Sequence, residues 1–177
     1  MRAIVVYESM FGNTRHVAEA VARGLGKPED VQVVPVSDAA ALDPGDYDLV
    51  VVGGPTHVHG MSRDSTRRVA EEAAESSQGH LVIETDAAGE GVREWMNALS
   101  GVPGRAAAFD TRVDGAALLT GRASKKIDRH LRSAGFTMLV PPESFLVTGK
   151  EPWLMPGEET RAQAWGEFLA ARSSATR

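Results

Sequence analysis

The sequence predicts an α/β sandwich, a parallel sheet covered by helices on both faces. Two observations carry this expectation. Tyr47-Asp48-Leu49-Val50-Val51-Val52-Gly53 is a strand pattern of continuous apolar character, which implies burial on both faces. Along the chain such runs alternate with helical periodicities, the order that builds βαβ units. The 177 residues, 42% hydrophobic and 24% charged, suffice for one sizeable core in a soluble globular protein. No repeat, linker or low-complexity stretch interrupts them, so a single domain over residues 1–177 is expected.

Charge and cysteine content exclude several function classes. A net charge of −5 gives no global electrostatic footprint for nucleic acid. The absence of cysteine removes disulfides, thiolate catalysis and cysteine-based metal sites, and suits a reducing cytoplasm. No apolar run approaches membrane length, and Met1-Arg2 leads straight into a strand without a signal-peptide pattern. A cytoplasmic protein with neither nucleic-acid nor membrane partners is expected.

The first strand, Ile4-Val5-Val6-Tyr7, breaks into the polar turn Glu8-Ser9-Met10-Phe11-Gly12-Asn13-Thr14. A helix follows, with Val17, Val21 and Leu25 four apart and Ala18 and Ala22 beside them. Strand, tight turn and helix N-terminus together make an anion site, because unpaired N–H groups and the positive end of the macrodipole face the turn. Ser9, Asn13 and Thr14 add side-chain donors, and Gly12 allows close backbone approach. The same residues also suit plain helix caps worth about 1 kcal/mol. The lysine of a nucleoside-triphosphate loop and the glycine triad of a dinucleotide loop are both missing, so a terminal monophosphate is the best-matched anion.

Val31 to Val36 is the second strand, and Asp38 after it reads as a helix or turn cap. The third strand, Tyr47 to Gly53, empties into the loop Gly53 to Ser62, at the strand end where open α/β sheets bind ligands. His57 and His59 lie two apart without a third ligand, a poor zinc site, and no metal is expected. Ser65 to Ser77 predicts a helix whose Arg67 and Arg68 pair with Glu71, Glu72 and Glu75 on a wet face. Residues 79–91, with Leu81-Val82-Ile83, read as an extended insertion or surface ribbon. Gly91 to Leu99 predicts a helix with Val92, Trp95, Met96 and Leu99 as its core stripe.

Ala106 to Phe109 is the fourth strand and runs into the loop Asp110 to Gly115. Thr120 to Ala134 predicts a helix whose Arg122, Lys125, Lys126, Arg129 and Arg132 form a solvated basic face. Phe136–Val140 and Ser144–Val147 flank Pro141-Pro142, a split edge strand, since proline cannot donate to a ladder. Glu158 to Ala171 closes the chain as a helix with Ala162, Trp165, Phe168 and Leu169 inward and Glu158 and Glu159 in its first turn. Ser173 to Arg177 is expected to fray.

Two loops carry a family resemblance. Ser9-Met10-Phe11-Gly12-Asn13-Thr14 resembles the flavodoxin phosphate loop Ser/Thr-x-Thr-Gly-Asn-Thr, with Phe11 where that family usually has a second threonine. Gly53-Gly54-Pro55-Thr56-His57-Val58-His59-Gly60-Met61 resembles the second loop, Gly-x-Pro-Thr-x-x-x-Gly-Met. The third, Asp110-Thr111-Arg112-Val113-Asp114-Gly115, lacks the aromatic that the family stacks on the flavin ring. The resemblance implies a flavodoxin-like three-layer sandwich, a five-stranded parallel sheet of order 2-1-3-4-5, with FMN as cofactor.

Ser9, Met10, Phe11, Gly12, Asn13 and Thr14 would then surround the phosphate. Pro55, Thr56, His57, Val58, His59, Gly60 and Met61, with Asp110, Thr111 and Arg112, would flank the ring. Gly60 would supply the peptide that flips with the flavin's protonation state, and one of the two histidines would pack near the ring. Arg112 would either oppose an anionic flavin or the phosphate, or pair at the surface with Asp110 or Asp114. The implied function is electron transfer between redox partner proteins, which requires no catalytic residue. Two alternatives stand beside it: an FMN-dependent NAD(P)H/quinone oxidoreductase, and a flavodoxin-like module that has lost FMN and serves in binding or regulation.

Overall fold

The computed structural model describes residues 1–57, 60–77, 81–84, 87, 89–116, 120–149 and 153–175. Seven strands form the sheet: β1 (Ala3–Tyr7), β2 (Val31–Pro35), β3 (Leu49–His57), β4 (Gly60–Met61), β5 (Gly104–Val113), β6 (Phe136–Met138) and β7 (Glu143–Val147). The helices are α1 (Asn13–Leu25), α2 (Val36–Ala39), α3 (Asp64–Ser76), α4 (Val92–Ala98), α5 (Ala123–Ala134) and α6 (Glu158–Ala175).

The parallel path runs β2-β1-β3-β5, and β6 and β7 share the outer edge of β5. With β5 as the fourth strand and β6 and β7 as a divided fifth, this is the expected 2-1-3-4-5 order. Pro141 and Pro142 occupy the break in the fifth strand. The break is held by Arg122, whose Nε donates to Ser144 Oγ (3.0 Å) and whose Nη2 donates to the Pro142 carbonyl (2.8 Å). Arg122 therefore anchors the N-terminus of α5 to the sheet edge and is not part of a solvated basic face.

Alternate residues of β1, β3 and β5 feed two cores. Val5, Val51, Ala107 and Phe109 meet α1 and α6 through Val17, Val21, Trp165 and Leu169. Ile4, Val6, Val50, Val52 and Ala108 meet α4 and α5 through Val92, Trp95, Met96, Ile127 and Leu131. Burial on both faces explains the unbroken apolar character of these strands. Phe109, Phe145 and Trp165 pack edge-to-face under α6, with centroids 6.0–6.2 Å apart.

Helices α1 and α6 cross at two glycines. A Cβ on Gly24 would run into the Gln163 carbonyl, and one on Gly166 would run into that of Val21. At the start of α6 the Glu158 carboxylate receives the Leu146 N–H (2.6 Å) and the Arg161 guanidinium (2.6 Å). Burial alone would raise its pKa, but these donors outweigh burial and hold the carboxyl below its ordinary range.

Three expectations are corrected here. Phe168 is 46% exposed and lies under the Arg172 guanidinium, while Ala162, Trp165 and Leu169 do face inward. Arg67 is only 5% exposed and turns into the protein; on the wet side Arg68 pairs with Asp64 (2.9 Å). Strand β3 continues past Gly53 to His57 and folds back through β4, and β5 continues through Val113. The ladder persists there because β7 pairs residue by residue with Phe109 to Val113. Residues 81–84 of the insertion form no strand; Val82 is exposed, and Glu84 ties the segment to the first loop.

Replacing Gly166 by alanine forces a methyl group into the α1–α6 backbone contact. We expect a loss of about 2 kcal/mol in unfolding free energy by urea titration, the usual cost of overpacking. A variant as stable as the parent would show that the helices separate freely.

Candidate functional site

The register of the sheet brings three strand ends to one level. Tyr7 stands opposite Gly53, and Gly53 opposite Phe109. The chain crosses from β1 to β2 on one side and onward to β3 on the other, so a crevice opens at the carboxyl ends between β1 and β3, where open α/β sheets take ligands. A cleft of about 180 Å³ occupies this position. Ser9, Met10, Phe11, Asn13 and Thr14 line it from the first loop, Pro55, Thr56 and His57 from the end of β3, and Thr111, Arg112 and Val113 from the end of β5.

The first loop is shaped as an anion cradle. Gly12 adopts a left-handed conformation (φ 86°) as the N-cap of α1, and its N–H donates to Ser9 Oγ (3.1 Å). The first turn of α1 contains no acidic residue. The Thr14 and Thr111 hydroxyls bond to each other at 2.8 Å, joining the first and third loops. A helix N-terminus with these hydroxyl and amide donors is a donor set that fits a phosphomonoester.

The 81–84 segment braces this loop from outside. The Glu84 N–H donates to the Met10 carbonyl (2.9 Å), and Arg15 Nε meets Glu84 Oε1 at 2.5 Å. Phe11, where a second threonine was expected, packs with Ile83 against Met10, Ala70 and Ala87. Its ring thus replaces a hydroxyl with an apolar contact to the strap.

Behind the loop lies a buried polar network that the sequence did not suggest. Glu8, 4% exposed, accepts the Val92 N–H at 2.9 Å. Its carboxyl is pushed up by burial, against the lowering effects of Ser62, Val92 and Arg67. Arg67 Nη1 donates to Ser62 Oγ (3.2 Å) and lies 3.3 Å from Glu94 Oε2. These contacts tie the end of β1 to the starts of α3 and α4.

The remaining expected site residues divide. Asp110 is fully buried and turns away from the cleft: its Oδ2 accepts the Thr56 hydroxyl (3.0 Å) and the Ser124 N–H (2.8 Å). It caps α5, and the Thr56 hydroxyl also receives the Ala123 N–H (2.9 Å). Arg112 lines the cleft, while its Nη1 donates to the carbonyls of Val113 (3.2 Å) and Gly115 (2.8 Å) and to the Thr120 hydroxyl (3.1 Å). Among the described residues it pairs with neither Asp110 nor Asp114. Gly60 and Met61 line a separate cavity, which among the described residues shares the His57 wall with the cleft. Val58 and His59 lie outside the described residues.

His57 is the imidazole at this site. Its Nε2 is enclosed and has no hydrogen-bond partner among the described residues, and burial pulls its pKa below the ordinary 6.5.

The chain matches the Flavodoxin family model over residues 5–165. No curated protein matches it. It is similar to the structure of a flavodoxin from the domain Archaea at 22% identity and a TM-score of 0.62, covering 98% of this chain and 99% of that one. It is also similar to oxidised Flavodoxin 1 from Bacillus cereus at 16% identity and a TM-score of 0.63, covering 100% and 99%. A flavodoxin, WrbA-like protein from Agrobacterium tumefaciens aligns at 16% identity and a TM-score of 0.56, covering 99% of each chain.

The enclosed imidazole gives a pH signature. The unfolded chain takes up the His57 proton at a higher pH than the folded one, so stability falls as pH drops through and below 6.5. We expect the thermal midpoint of His57→Gln to fall less than that of the parent between about pH 7.5 and about pH 5.5. Parallel curves would mean that His57 titrates as in water.

Proposed function

The chain belongs to the flavodoxin family, and from that premise we propose that it binds FMN in the three-loop cleft and carries electrons between redox partner proteins. The observation that supports this best is the convergence of all three loops on one cleft that opens at the N-terminus of α1. In this reading Ser9, Asn13 and Thr14, with the first-turn amides, hold the phosphate against the positive end of the helix.

Met10, Phe11, Pro55 and Val113 supply apolar walls that exclude water from the ring, and Thr111 supports the phosphate loop through Thr14. His57 stays neutral at physiological pH, so its Nε2 serves as a hydrogen-bonding atom rather than a charge. Arg112 puts a positive charge on the cleft wall, which favours negative charge there and raises a bound cofactor's potential. Bound FMN supplies the redox chemistry, and the side chains bind, orient and tune.

A second reading, an FMN-dependent oxidoreductase acting on a small molecule, is favoured by the cavity on the far side of His57.

The visible spectrum of the purified protein, followed by titration with FMN, tests the proposal. Tight binding with a protected flavin spectrum is expected, and Thr14→Ala should weaken it about tenfold through one lost hydrogen bond. No flavin on purification and no binding at micromolar FMN would remove both redox readings.

A further inference from the structure

We infer that the cavity between β4 and the helices α3, α4 and α5 binds a small anionic molecule through its phosphate or carboxylate groups. The cavity measures about 280 Å³, close to the lower end of the roughly 300–1,000 Å³ usual for small-molecule sites. Arg63, Arg93 and Lys126 line it together with His57, Ser65 and Thr66, and none of its described lining residues is a carboxylate. Placing three cations side by side costs Coulomb energy unless a counter-charge joins them.

At several places elsewhere the chain provides that counter-charge itself. Arg15 meets Glu84, Arg68 meets Asp64, Arg132 meets Asp128 and Arg161 meets Glu158. Acidic residues outnumber lysine and arginine 24 to 19, yet Arg63, Arg93 and Lys126 have no ion-pair partner among the described residues.

Two of the three cations are placed by the fold. Arg93 donates Nε to the Ser62 carbonyl (3.2 Å) and Nη2 to that of Met61 (3.1 Å), so its guanidinium is fixed at the cavity wall. Lys126 lies across Gly60, with Cε and Cδ at 3.0 and 3.2 Å from where a Cβ added at that position would stand. In the first turn of α3 Ser65 adds a hydroxyl, while the Thr66 hydroxyl is engaged with the Arg63 backbone and the one acidic residue, Asp64, is engaged by Arg68.

The binding site stands on these residues alone. Its role as the substrate subsite of a redox centre rests on the FMN reading, since His57 is the wall common to the two spaces.

Isothermal titration with pyrophosphate, and separately with citrate, distinguishes a phosphate ligand from a carboxylate one. Each titration is run with and without saturating FMN on the parent, Lys126→Gln, Arg63→Gln and Ser9→Ala. The parent should bind one anion in the presence of FMN, and Lys126→Gln and Arg63→Gln should each weaken it about tenfold. FMN affinity in Lys126→Gln should stay within about twofold of the parent. If FMN does not bind, pyrophosphate has access to both sites; Ser9→Ala then weakens only the loop site, and Lys126→Gln still decides the second. Parental anion affinity in Lys126→Gln and Arg63→Gln, with unchanged thermal midpoints, would overturn the inference and leave three solvated cations.

Discussion

The row formed by Tyr7, Gly53 and Phe109 is the constraint on which the rest of the molecule depends. These residues pair across β1, β3 and β5, and the Phe109 ring lies so close over Gly53 that a Cβ there would fall inside it. A parallel sheet has one carboxyl edge, so fixing this row fixes the height at which all three loops leave it. Any larger residue at 53 would push β3 away from β5 and separate the cleft walls. Apolar packing within the sheet thus sets the geometry of a polar site.

Around that edge the charges are sorted. The positive end of α1 carries no acidic residue, and Glu84, which reaches over the loop, is neutralised by Arg15. Asp110 is turned to α5, where its Oδ2 accepts a hydroxyl and an amide. Arg63, Arg93 and Lys126 line the cavity beside His57. A chain that is acidic overall thus places cations on the walls of two neighbouring spaces.

Much of this was legible in the sequence for a simple reason. Strands buried on both faces must be continuously apolar, and a phosphate loop needs small donors before a helix, so β1, β3 and the first loop were visible as patterns. The core stripe of α4 and the proline break in the fifth strand followed from equally local rules. What escaped depends on partners distant in sequence. Arg67 has glutamates at helical spacing, but Ser62 and Glu94 compete for it from inside, and a buried carboxylate at Glu8 lies beside it. The strap at 81–84 has no periodicity because it is held by one backbone bond and a few side chains rather than by a ladder. Phe168 fits the apolar register of α6, yet the face packed against α1 centres on Gly166 and leaves Phe168 toward solvent.

The glycine crossing of α1 and α6 also sets an order of assembly. The helix whose N-terminus lines the three-loop cleft is among the first elements to be synthesised, but the surface that covers Val17, Val21 and Leu25 includes Trp165 and Leu169. At about 5–20 residues per second, that apolar face waits on the order of ten seconds for its cover during translation. Until the far end of the described chain has emerged, α1 lacks the cover that Trp165 and Leu169 supply.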